Sequence, residues 1–538
     1  MHGLLLGGFT AADEKEENSV ISHNSNNNHS SKDVGVRPGG HFQPTGSDSY
    51  RSFGNHRIAT HLRKNGWDIE CLDWGLRFSD EELQEFIDKR ITKETIFVGF
   101  SLIFYTNVNT RMNELVTYIR KKYPWVKIIS GGVKIYTVTR VNADWFIAGN
   151  GEYAMDALLK YLTGRGPEPT NRELFGGRLI ETQHTYPCFP KRDAAIKYED
   201  RDFIQQNEVL NVEFGRGCIF NCKYCNFPLL GMKGDTTRNQ DSIYEELLDN
   251  YERWGITTYY ITDDTVNDSK DKLKIIADAV RRLPFRPHFV GWTRADLLIR
   301  HGKDTWDDMI DTGYTSHAYG IETFNHASGK SVGKGMHPEE MKSGLLEVQD
   351  YFTEKSEHHY SGNFTMIAGL PHETYATLDD GRDWVNKYWG NHAVTYFPLM
   401  LGAPFDLRDQ MDDMDKKVVD NFKSYGYIDN FERPFVSEPH LNGVIDMFTG
   451  GVDNWNYWIH PSGDYDFVDM IEWVYNFTAK RNELKMNSNG VWHINYVHAK
   501  TFWDKTEKMG DYYKQNAKEI TYNEMINIIK RYKRNKLS

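Results

Sequence analysis

VLNVEFGRGCIFNCKYCNFPLLG, residues 209–231, decides how this chain is read. The short apolar run at its start has strand character, and the strand runs straight into a loop bearing Cys218, Cys222 and Cys225. The cysteines are separated by three and then two residues. Thiolates on so tight a loop can wrap a cubane iron–sulfur cluster, giving one sulfur to each of three irons. The fourth iron then has no protein ligand and is open to a substrate or cofactor. Zinc is the natural competitor, but a structural zinc site closes four ligands, and His184 is too remote in sequence to be argued as the fourth. Three unrelated buried cysteines are the remaining reading.

Working outward from the loop, strand-like segments alternate with helical ones. The strands are VLNVEF, TYYIT, HFVGW, HAYGIE, GNFTMIAG and AVTYFPL, and SIYEELLDNYERWG and HPEEMKSGLLEVQDYF are examples of the helical segments. Six βα units predict a barrel or an open part-barrel of parallel strands, with its site at the carboxyl ends of the strands. This core is expected over 206–401. Upstream, Leu4 to Leu6, Asp68 to Leu72, TIFVGFS, WVKIISGG and WFIAGNGE predict five strands with helical crossovers, a doubly wound parallel sheet over 1–164. Ser79 and Glu82 have capping-box spacing, and Gly66 is a helix stop. Residues 14–50 are Asn-, Ser-, Gly- and His-rich, a flexible insertion. Gly131, Gly132, Gly149 and Gly151 fall at strand ends, where such sheets bind ligands; tight βα turns alone would also account for them. Residues 165–205, with Pro167, Pro169, Pro187 and Pro190, read as a linker. Residues 402–538 read as an α-rich cap with Trp455, Trp458, Trp473, Trp492 and Trp503 in its core. The basic end, 530–536, reads as a solvated helix face.

The chain has 538 residues, 64 Lys and Arg against 76 Asp and Glu, and five cysteines. Its net charge of −12 argues against a dedicated nucleic-acid or membrane-surface protein. No stretch reaches the roughly 18 apolar residues of a membrane span. The start has no basic n-region ahead of its short apolar run, so it reads as a buried strand rather than a leader. Few cysteines, three of them clustered, point to a reducing compartment, the cytoplasm.

The cysteine loop resembles that of the radical S-adenosylmethionine (radical SAM) superfamily, with Tyr224 as the aromatic residue before the last cysteine. Later strand ends are similar as well. Tyr260 to Asp264 resembles the polar strand end that holds the SAM amine, through Asp263 and Asp264. Thr293 to Asp296 resembles the segment whose arginine, here Arg294, meets SAM. Gly320 to Thr323 resembles an acidic motif, with Glu322 reaching the ribose, and Met366 to Thr374 resembles the glycine–proline turn of the fifth strand. The resemblance implies a 4Fe–4S cluster on Cys218, Cys222 and Cys225 that cleaves SAM to a 5′-deoxyadenosyl radical. It also implies a small-molecule substrate and a low-potential electron donor such as a flavodoxin or ferredoxin. FGNHRIATHLRKNGWDIECLDW, IFVGFSL, KIISGG and DWFIAGNGEYAMDALLKYL resemble the cobalamin-binding domain of the cobalamin-dependent class, which implies cobalamin near Gly131 and Gly132. The Asp-x-His-x-x-Gly motif that supplies an axial histidine in some cobalamin proteins is absent. Methylation or rearrangement of an unactivated carbon is the implied reaction. Two alternatives stay open: a methylthiotransferase-like enzyme, which needs three further N-terminal cysteines where only Cys71 and Cys188 stand, and a non-catalytic cobalamin- or cluster-binding redox sensor. The substrate and the catalytic residues that follow hydrogen abstraction are not readable.

Overall fold

A computed structural model describes residues 1–7, 51–73, 79–101, 109–132, 141–182, 185–186, 195–204, 209–225, 236–356, 360–390, 392–401, 413–430, 432–449 and 455–484. The insertion at 14–50, His184, Cys188, Pro187, Pro190, Trp492, Trp503 and the basic end lie outside the described residues.

The first sheet starts with β1 (His2–Leu6), α1 (Phe53–Lys64), β2 (Asp68–Leu72), α2 (Asp80–Arg90) and β3 (Thr95–Ser101). It continues with α3 (Asn109–Lys122), β4 (Lys127–Gly131), β5 (Trp145–Ala148), α4 (Glu152–Leu162), β6 (Arg172–Leu174) and β7 (Gly177–Glu181). Strand order is β2-β1-β3-β4-β5-β7-β6, parallel except for β6. The sheet is apolar on both faces and buries each under a helix pair. Leu83, Phe86, Met112 and Ile119 form one core, and Ala59, Leu62, Leu158 and Leu159 the other. Ser79 and Glu82 close the expected capping box on α2, and Gly66, at φ 83°, follows the end of α1.

The stretch expected as a linker is only partly one. Residues 172–181 form a hairpin that adds two strands to the first sheet, making seven where five were expected. Its two-residue turn is Phe175-Gly176, with φ of 49° and 78°. Positive φ at both positions is the geometry that favours a tight hairpin, but phenylalanine is not one of the residues that announces it.

A 3₁₀ turn (Asp200–Asp202) then leads into the second sheet. Its six strands are β8 (Val209–Val212), β11 (Thr258–Ile261), β12 (His288–Thr293), β13 (Tyr314–Glu322), β14 (Ser361–Ala368) and β15 (Val394–Pro398), side by side in sequence order and all parallel. A small ribbon, β9 (Gly215–Arg216) with β10 (Thr236–Thr237), brackets the cysteine loop. The crossovers are α5 (Gln240–Trp254), α6 (Lys270–Val280), α7 (Ala295–His301), α8 (Lys303–Asp311), α9 (His326–Val332), α10 (Pro338–Lys355) and α11 (Tyr375–Tyr388). This is the expected open part-barrel.

Three more helices follow: α12 (Asp413–Ser424), α13 (Pro439–Thr449) and α14 (Phe467–Glu483). They share the barrel's core rather than forming a separate one. Trp455 and Trp458 are fully buried, the Trp458 indole donates to Leu399 O at 2.8 Å, and Tyr427 donates to Gly369 O at 2.6 Å. Each such indole removes on the order of 200 Å² from water, roughly 5 kcal/mol of transfer free energy before ordering entropy.

Candidate active site at the cysteine loop

The cysteine loop follows β8 and is held by the end of α9 and by α12. Lys223 N donates to Val332 O at 3.1 Å, and Asn421 of α12 donates to Lys223 O at 3.2 Å. Cys225 N closes a turn on Cys222 O at 3.2 Å. Gly333, at φ 89°, allows the end of α9 to approach Cys222, whose Cα would lie 3.5 Å from an added Cβ. All three cysteines are partly exposed. Burial pushes the Cys218 thiol up, and its sulfur lies 3.8 Å from Thr265 Oγ1.

Arg294 reaches this loop. Its Nε and Nη2 fork onto Asp296 at 3.0 and 2.8 Å, and its Nη1 points at Cys222 Sγ, 3.7 Å away. The guanidinium also stacks over Phe220 at 3.7 Å. Tyr224 donates to Glu322 Oε1 at 2.8 Å, and Lys334 stands 3.6 Å from the same oxygen while donating to Gly320 O at 2.7 Å. Burial, with Glu322 beside it, pushes the Tyr224 phenol well above its usual range, so it remains a donor. Glu322 ends β13 at φ 70°, a conformation side chains rarely adopt.

The two aspartates at the end of β11 divide. Asp263 accepts from Phe214 N at 2.7 Å and pairs with buried Lys272 at 2.9 Å, so it braces the strand ends. Burial pushes its carboxyl up to about 7 against the Lys272 charge. Asp264 is only partly enclosed; burial, with Glu213 nearby, pushes it up to about 6. Of the two, Asp264 is the one left partly exposed.

Sequence reasoning missed the charges that join the two sheets. Arg216 lies two residues before Cys218. It binds Glu213 at 2.7 and 2.9 Å and Glu152 at 2.9 Å. Arg57 of α1 stands 3.6 Å from Glu152 and 3.5 Å from Glu213. Burial pushes the Glu152 carboxyl up, but Arg216 and Arg57 outweigh it and hold it at about 2. Glu152 opens α4 immediately after the Gly149–Gly151 turn, so the carboxyl edge of the first sheet is tied to the cysteine loop. An arginine just before the first cysteine was the available signal. Gly131 and Gly132 meet local demands: a Cβ on Gly131 would lie 3.4 Å from Ile147 O, and Gly132 has φ 144°.

Residues 212–385 match the profile of the Radical SAM superfamily. This stretch is a radical SAM domain. Among curated proteins, hopanoid C-3 methylase of Methylococcus capsulatus is 24% identical over 257 residues, 45% of this chain and 48% of that protein. An uncharacterized methyltransferase of Pyrococcus horikoshii is 23% identical over 190 residues, 35% of this chain and 38% of that protein. The chain thus matches about half, or less, of the length of these curated relatives. Among solved structures, the radical SAM methyltransferase TsrM of Kitasatospora setae, with cobalamin and a 4Fe–4S cluster bound, aligns with a TM-score of 0.52 at 14% identity, covering 75% of this chain and 72% of that one. The cobalamin-dependent radical SAM enzyme OxsB aligns at 0.51 and 13% identity, covering 79% and 56%. These likenesses establish the shared fold across both sheets.

A radical SAM domain implies a 4Fe–4S cluster and SAM, and the donor set fits. Three partly exposed thiols share one loop, with a guanidinium beside one of them. Among the described residues, the triad whose ligand atoms all lie within 4.8 Å of one another is a different one, His56, Cys71 and Asp202.

Proposed function

We propose that the chain is a radical SAM enzyme that uses cobalamin to methylate or rearrange an unactivated carbon of a small molecule. The observation that carries this reading is the ion-paired contact between Glu152, at the carboxyl edge of the first sheet, and Arg216, beside Cys218. It sets the strand-end faces of the two sheets against each other, where a group carried by one can reach chemistry at the other. The first sheet has its order reversal between β1 and β3, the position at which such sheets hold ligands.

When bound, the cluster supplies the electron that splits SAM to methionine and a 5′-deoxyadenosyl radical, and cobalamin supplies a methyl carrier. The chain's residues position SAM. Asp264 is placed for the amine and Arg294 for the carboxylate. Glu322, fixed by Tyr224 and Lys334, is placed for ribose hydroxyls. A low-potential flavodoxin or ferredoxin is the proposed electron source and the cytoplasm the proposed location. Among the described residues no helix is long and apolar enough to cross a membrane.

Arg294→Ala and Glu322→Ala are expected to weaken SAM binding about 10- to 100-fold by calorimetry, the loss of one charge-assisted hydrogen bond of roughly 1.5–3 kcal/mol. Iron content should not change, and unaltered affinity in both variants would make these residues structural. Equilibrium dialysis tests the cobalamin reading. Gly132→Val is a poor probe, because the backbone there is strained for any side chain. Gly54→Leu is better: among the described residues a Cβ there meets Ser101 Oγ alone, at 3.8 Å, beside the β1/β3 crevice. The native chain should retain cobalamin and Gly54→Leu should retain less. No retention by the native chain, with SAM cleavage intact, leaves the first sheet as a packing module.

A further inference from the structure

Behind the strand-end crevice, at the junction of α1, β2 and the 3₁₀ turn, lies a second cluster that the radical chemistry does not use. His56, Cys71 and Asp202 are 1%, 5% and 1% exposed. One ligand atom from each lies within 4.8 Å of the other two. His56 Nε2 is hydrogen-bonded to Asp73 Oδ2 at 2.8 Å, and Asp73 is itself held by Arg51 at 3.1 Å and Ser52 N at 2.7 Å. A carboxylate on one imidazole nitrogen fixes the ring so that the other presents its lone pair, the arrangement that supports metal-bound histidines. That other nitrogen, Nδ1, is buried and pairs with no nitrogen or oxygen; its neighbour is the Cys71 sulfur. Asp202 Oδ1 faces it at 3.9 Å, too far for a hydrogen bond. Arg63 forks onto Asp202 at 2.7 Å to each oxygen and holds the carboxylate in place.

We propose that His56 Nδ1, Cys71 Sγ and an Asp202 oxygen form a binding site for one divalent cation of the zinc class. The donor set, one nitrogen, one sulfur and one oxygen, suits a borderline-soft ion and leaves a fourth position for water. The triangle draws in slightly to reach bonds of about 2.0–2.3 Å. Binding releases the Cys71 thiol proton and any proton on Nδ1 to solvent, so two positive charges replace up to two and the net charge of the pocket is nearly conserved. Arg51 and Arg63, the nearby positive groups, are engaged by Asp73 and Asp202 directly. A bound ion would staple the segment entering the barrel to the first sheet.

The test uses the full chain with its cluster reconstituted, dialysed against zinc and then against buffer. Zinc is counted by mass spectrometry, and its shell is read by X-ray absorption at the zinc edge. The expected result is about one retained zinc per chain with one sulfur and at least one imidazole in its shell. Cys71→Ser and His56→Gln should each lose that zinc while keeping full iron, which shows that they fold. Zinc in an all-sulfur shell, zinc retained by both variants, or no zinc in the native chain would overturn the proposal, the last leaving a proton as the occupant. Should either variant fail to fold, the absorption spectrum of the native chain decides alone.

Discussion

Cys222→Ala is expected to lose most of its iron after anaerobic reconstitution and all reductive SAM cleavage, and Cys218→Ala and Cys225→Ala are expected to match it. In the cluster each thiolate would serve a separate iron, so losing one would leave two ligands where three are needed. Cys222 should show the effect most cleanly, because Arg294 and the turn to Cys225 N both converge on it. Cys71→Ala and Cys188→Ala should keep both iron and cleavage. Iron and sulfide assays with chromatographic detection of 5′-deoxyadenosine read the result. Full iron loading in Cys222→Ala would remove the cluster assignment.

The second large effect is one of stability. Arg216→Ala leaves Glu152 and Glu213 enclosed, with Arg57 standing 3.6 and 3.5 Å from them. Removing one member of a buried charge network costs about 3–5 kcal/mol, because the stranded partner has lost both water and its counter-ion. Thermal unfolding should shift down by several degrees, and Glu152→Gln should shift it less. Restoring apolar shape with Arg216→Met and Glu152→Leu together should recover part of the loss, since a matched apolar pair strands fewer charges. An unchanged melting curve in Arg216→Ala would mean that water, not burial, sets the energetics of this interface.

The elements legible in the sequence were those whose pattern is local. Six barrel strands, five sheet strands, the Ser79 capping box and the cysteine loop all follow from periodicity, caps and spacing within a short window. The β6–β7 hairpin was not legible, because its strands are short and Phe175-Gly176 lacks the usual turn signature. Nor could the sequence separate Asp263 from Asp264. Adjacent residues point different ways, and only the position of Lys272 shows which one is already engaged. The Arg57, Glu152, Glu213 and Arg216 network pairs residues up to 156 positions apart, and no local pattern encodes a pairing of that range. Cys71 looked solitary for the same reason: His56 is fifteen residues upstream, and Asp202 arrives from the far end of the connecting segment.

The two margins of the first sheet bear on how the chain behaves before any cofactor arrives. β6 is three residues long, and Arg172 closes over β7 onto Glu181 at 3.2 Å. On the opposite margin Arg63 donates to Ile69 O of β2 at 3.0 Å, and Arg201 of the 3₁₀ turn pairs with Asp68. Each margin is therefore short or carries charged side chains over its backbone, and offers little for a stray strand from another molecule to extend. A polypeptide that must wait, empty and at high concentration, for iron, sulfide and SAM is exposed to self-association during that interval. Blunted borders of this kind work against strand-to-strand association during that interval.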